Sequence, residues 1–103
     1  MRRGTTPTHK FTIPFVINNL SIISIVYSQY GKIVLEKATA DCAVAKTDSN
    51  MIIGTALSET DTLKFDEGMV DIQIRLGDTD GGRYASNVIH TAMNSILKDG
   101  VLV

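Results

Sequence analysis

The chain has 103 residues, a formal net charge of −1, 44% apolar and 20% charged residues, and a single cysteine. This length carries one domain with one core, burying roughly 60 to 70% of the surface that the unfolded chain would expose. The composition is that of an ordinary globular protein and excludes a disordered or membrane-spanning chain. With no Lys/Arg stripe beyond Arg2 and Arg3, it also argues against nucleic acid as a partner.

In chain order, MRRGTTPTHKF carries a basic pair but no apolar run or small-residue cleavage pattern, so it is not a secretory signal. Residues 1–7 read as a loose tail. His9 to Ile13 places Phe11 and Ile13 on one face and Lys10 and Thr12 on the other, a first strand ended by Pro14. No window approaches the ~20 apolar residues of a membrane span.

Ser21 to Ser28 is rich in β-branched residues, with Ile23, Ile25 and Tyr27 on one side. It turns at Gln29, Tyr30 and Gly31, where Gly31 suits the left-handed position of a type I turn with a bulge, and returns as Lys32 to Lys37. A short strand is expected near Cys42 to Ala45, then a turn over Thr47 to Asn50. Met51 to Leu57 follows as a strand weakened at Gly54, where a bulge or a close neighbour is the usual reason. Ser58 caps one helical turn over SETD, stopped early by Phe65 to Gly68, which suits a crossover between two sheets.

The clearest signal is Met69 to Thr91. Val70, Ile72, Ile74 and Leu76 alternate with Asp71, Gln73 and Arg75, the chain breaks at GDTDGG, and RYASNVIHT resumes. Beyond that point two readings stay open. Val88, Ile89, Ala92, Met93, Ile96 and Leu97 also fit helical spacing, with Asn87 as a cap and Gly100 as a stop. Pairing across GDTDGG favours a strand through about His90 to Met93, with one helical turn over Ser95 to Lys98.

No constellation of side chains points to catalysis. Asp78, Asp80 and Gly81 resemble the start of a calcium loop, but Ile89 stands where the twelfth-position Glu belongs, so a hairpin turn is the better reading. Asp66 and Glu67 are neighbours whose side chains diverge in an extended chain, not an acid/base pair. His9 and His90 lack ligands at metal spacing and read as surface or hydrogen-bonded histidines. Cys42 cannot form an intrachain disulfide, which makes an oxidising compartment unexpected, and reads as a small buried hydrophobe. GxSxG, HExxH, GxGxxG, P-loop and CxxC patterns are absent. The expectations are no enzyme, no cofactor, no metal and no membrane partner.

Six to seven short strands separated by turn signals predict an all-β fold, an immunoglobulin-like β-sandwich spanning 1–103 as one domain, with a short apolar tail at 99–103. It would lack the Cys/Trp/Cys core of antibody domains. The alternative is a small α+β domain with a carboxy-terminal helix.

MRRGTTPTHKFTIPF, IVYSQYGKIVLEK followed by DC, LSETDTLKFDEG followed by VDIQIRL, and the closing LKDGV together resemble a family of small proteins of roughly a hundred residues encoded in the structural-gene region of prophages and tailed phages of Gram-positive bacteria. The resemblance covers nearly the whole chain. The family's turn after YSQ is typically Asn-Gly, where this chain has Tyr30-Gly31. The resemblance implies a non-catalytic virion structural or assembly protein of the head-tail junction, tail or baseplate, made in the cytoplasm and built into the virion. It supplies no site residues. A host-surface or carbohydrate-binding module is the second expectation, with the absence of Trp counting against it.

Contacts with other virion proteins or with a second copy would fall on Arg2, Arg3, Tyr30, Tyr84, Val101, Leu102 and Val103. The tyrosines suit a contact surface, the last three residues form an apolar terminus, and RRGTTPTHKF can add as a strand to a neighbour's sheet.

Overall fold

The computed structural model describes residues 1–98 and 100–102. The fold is a small all-β sandwich of two antiparallel sheets. One has the order β1 (Thr8–Ile13), β5 (Met51–Ala56), β4 (Cys42–Lys46). The other has the order β3 (Lys32–Ala38), β2 (Leu20–Gln29), β6 (Gly68–Asp78), and then β7 (Arg83–Ala85) and β8 (Ile89–Met93) end to end along the same edge of β6. A 3-10 turn at Thr39–Asp41 carries the chain from β3 to β4, and α1 (Glu59–Leu63) carries it from β5 to β6. Ser58 caps α1 by accepting from the Asp61 amide, while the Asp61 carboxylate accepts from the Ser58 amide.

Period-2 alternation places one apolar row of each strand between the sheets. Ile23, Ile25 and Tyr27 of β2 and Val70, Ile72, Ile74 and Leu76 of β6 meet Ile13, Met51 and Ile53 of the smaller sheet. Phe65, fully buried just after α1, packs edge-on against the Tyr27 ring at 5.9 Å. Each fully buried aliphatic or aromatic side chain stabilises the fold by about 1.5–3 kcal/mol.

The structure corrects several local expectations. Tyr30 and Gly31 both have positive φ, 53° and 75°, between the paired Gln29 and Lys32. This is a two-residue type I′ turn, and the register shift lies further in, at Tyr27/Ser28. Gly54 marks no bulge: it pairs in regular register with Lys10 and Ala43, and a Cβ there would meet neighbours at 3.8 Å, an ordinary contact.

The segment after GDTDGG is two strands, because Ser86 diverts the chain. Its amide donates to the Ile74 carbonyl, but its hydroxyl takes the Ile74 amide and its carbonyl takes the Gln73 side chain. Pairing then moves from Leu76↔Tyr84 to Ile72↔Ile89, a slip of one residue. The consecutive apolar residues Val88 and Ile89 at this slip break the period-2 alternation, and so they also fit helical spacing.

Residues 95–98 form no helical turn. The amino-terminal segment holds the preceding chain extended: Asn94 donates to the Met1 carbonyl and accepts from the Arg3 amide, while the Arg2 guanidinium donates to the Ser95 carbonyl at 2.6 Å. Residues 1–7, expected as a loose tail, are thus tied to their own domain. The Met1 ammonium also donates to the Ala92 carbonyl, and Pro7 accepts from the Leu57 amide.

Candidate interaction surfaces

The GDTDGG turn is organised by Asp78. One carboxylate oxygen accepts from the Gly82 and Asp80 amides at 2.7 and 2.9 Å, and the other accepts from the Tyr84 hydroxyl at 3.0 Å. The Gly82 amide foremost, with Tyr84 and Asp80, holds the Asp78 carboxyl below its ordinary value. The same bond raises the Tyr84 phenol above 10.0. Asn19 braces the turn from the loop before β2, donating to Thr79 and to Asp80. The carboxylate suggestive of calcium is therefore committed to its own loop. Among the described residues no cluster of three His, Cys, Asp or Glu side chains is placed to hold a metal ion.

Tethering its hydroxyl lays the Tyr84 ring against Phe15, with centroids 5.7 Å apart and planes tilted by 43°. Phe15 is there because Pro14 ends β1 and turns the chain toward β7. Between them and the slip at Ser86 opens a groove of about 360 Å³, floored by Ile13, Ile74 and Leu76 and edged by Ile89, with Thr12, Ser86 and Asn87 supplying polar groups. Phe15, Tyr84 and Ile89 each keep about two-fifths of their surface exposed. Among the described residues of the lining Tyr84 is the only titratable side chain, and the groove suits apolar or aromatic contact. The sequence reading missed Phe15 and Ile89. The signals were an aromatic placed after a strand-ending proline and an apolar pair that breaks the alternation.

The other expected contact residues are dispersed. Tyr30, 74% exposed at the β2–β3 tip, donates to the Glu67 carbonyl and lies over Gly68, whose φ of 136° and lack of a Cβ both permit the contact. Arg2 binds its own chain at Ser95. Arg3 donates from Nε to the Phe65 carbonyl and from Nη2 to the Leu63 carbonyl, at the carboxy-terminal end of α1 where a cation is favoured. Arg3 also lines a surface depression together with Glu59, Ile96, Val101 and Leu102. The Leu102 amide donates to the Glu59 carboxylate, while its side chain stays exposed. Val103 lies outside the described residues.

His9 and His90 are both hydrogen-bonded. His9 Nδ1 shares a 2.7 Å bond with the buried Tyr27 hydroxyl, and burial lowers its pKa from 6.5. Burial likewise raises Tyr27 and Cys42 above their ordinary values. His90 Nδ1 lies 2.6 Å from the Asp71 carboxylate on the outer face of the larger sheet. No helix among the described residues is long and apolar enough to cross a membrane. No protein-family model matches the chain, and comparison with curated proteins gives no match.

Proposed function

We propose that the chain is a non-catalytic structural or assembly protein of a phage or prophage virion, a component of the head-tail junction, tail or baseplate. The whole-chain resemblance supports this reading, and the observation that carries it is the Phe15–Tyr84 groove, an exposed apolar surface beside a sheet edge. Such a surface suits contact with other virion proteins. The test is mass spectrometry of particles purified after prophage induction, together with deletion of the coding sequence. The chain should be present in particles, and its deletion should stop assembly at a defined intermediate. Particles that lack it and form normally without it would overturn the proposal.

The same groove favours host-surface or carbohydrate binding as the second reading, since aromatic rings flanked by Ser86 and Asn87 can meet both the apolar and the hydroxyl faces of a sugar. A glycan screen repeated with Tyr84→Ala distinguishes them. Saturable binding abolished by the substitution favours this second reading, and a blank screen removes it.

A further inference from the structure

The four sheet edges are not treated alike. β1 lies between Pro7 and Pro14; β3 is bulged and carries Lys32, Glu36 and Lys37. β7 is three residues long, and the end of β8 is covered by residues 1–3. Proline, bulges, charge, shortness and cover are the devices that keep sheet edges from pairing. β4 has none of them along its middle: Cys42–Lys46 pairs with β5 in unbroken register, Ala43, Val44 and Ala45 are exposed, and its one charge is at the end.

The backbone fixes what that edge presents. Thr47 donates to the Asn50 carbonyl at 2.9 Å in the turn that follows β4. Antiparallel alternation then turns the amides and carbonyls of Ala45 and Ala43 toward β5, and those of Lys46, Val44 and Cys42 away from it. The Cys42 amide is already spent on the Thr39 carbonyl. The free donors of the edge are therefore the amides of Val44 and Lys46.

We infer that β4 is a self-association edge, pairing antiparallel with β4 of a second copy about a two-fold axis at Val44. In that register each Val44 exchanges both backbone bonds with its counterpart, and each Lys46 amide donates to the Cys42 carbonyl of the other copy. Every free donor of the edge then has an acceptor. Charge selects the same register: the strand starts beside Asp41 and ends at Lys46, so antiparallel pairing sets the cation of one copy beside the anion of the other. Sliding by two residues, with Ala45 facing Ala45, also uses the donors but brings the two lysines diagonally together. The arrangement is isologous and closed, so it gives a dimer. The inference rests on the strand edge alone and stands or falls separately from the virion proposal.

Light scattering over a concentration series reaching the millimolar range should show a reversible monomer–dimer equilibrium. Val44→Pro removes an outward amide without touching the β5 ladder, and Val44→Lys opposes like charges. Both should be monomeric, with the circular dichroism of the parent; if Val44→Pro fails to fold, Val44→Lys decides. In a Cys42→Ala background, Val44→Cys should form a disulfide-linked dimer on mild oxidation, its Cα atoms about 5.5 Å apart, and Ala45→Cys should not. A parent chain that stays monomeric throughout, a mass unchanged by Val44→Lys, or cross-linking through Ala45→Cys in place of Val44→Cys would overturn the inference.

Discussion

The side-chain amide of Gln29 pairs with the peptide group of Asp66 as one strand pairs with another. Gln29 Nε2 donates to the Asp66 carbonyl at 2.7 Å, and Oε1 accepts from the Asp66 amide at 2.9 Å. Gln29 is buried at the end of β2, so the pair fixes the loop after α1 to the larger sheet. Gln29→Leu keeps the shape but leaves both backbone groups unpartnered, and should cost about 2 kcal/mol, read as a fall in Tm of roughly 10 °C. Gln29→Glu sets a carboxylate against the Asp66 carbonyl at neutral pH. Its stability deficit in urea should shrink in acid, where the carboxyl can donate.

His9 should make the fold sensitive to mild acid. Its folded pKa lies below 6.5 because of burial, so the unfolded chain binds the proton more readily. The stability it contributes is fully present above pH 6.5 and is lost as the pH falls from there through the folded pKa. Urea unfolding at about pH 7.5 and about pH 5 should show a decline in the parent chain that His9→Gln reduces. An identical decline in both would exclude His9 as its source.

Asp61 ties α1 to β3, accepting from the Ser58 amide at the start of its own helix and from Lys37 Nζ at 2.8 Å. Burial works to raise its pKa, but the Lys37 and Ser58 bonds outweigh it and leave the carboxyl below 3.8. This contribution is present above pH 3.8 and is lost as the pH falls through the folded value. Asp61→Ala should cost about 2 kcal/mol, combining a lost cap with an unpaired, largely covered lysine. Ser58→Ala should cost about 1 kcal/mol. Chemical denaturation of both variants checks the order.

Calcium should leave the protein unchanged. Because Asp78 already accepts from Gly82, Asp80 and Tyr84, millimolar calcium should not move Tm, and a saturable rise of several degrees would contradict the turn described above. In Asp78→Asn the Tyr84 phenol should titrate nearer 10.0, which ultraviolet absorbance resolves against the parent.

The local structure was legible in the residues wherever one face is buried. Alternation in Ser21–Ser28 and Met69–Leu76 specified which side chains enter the core, since slipping either strand by one residue would expose its whole apolar row. The Ser58 cap was legible for a similar reason: its donors and acceptors lie within three residues.

The groove and the covered amino terminus depend on partners far along the chain. Phe15 meets Tyr84 across the gap between the two sheets, and Met1 to Arg3 are held by Asn94 mainly through backbone groups, which every residue type presents alike. The slip at Ser86–Val88 required a hydroxyl to replace a carbonyl in the ladder, a choice made by register with β6. The sequence by itself therefore determined the strands as far as Leu76, where the chain turns between them, and the core face, because those follow from side-chain period and short-range hydrogen bonds. Tertiary structure alone decided which edges are covered, where the aromatic groove opens, and that β4 is left as an unprotected edge, because edge exposure depends on where distant strands come to rest.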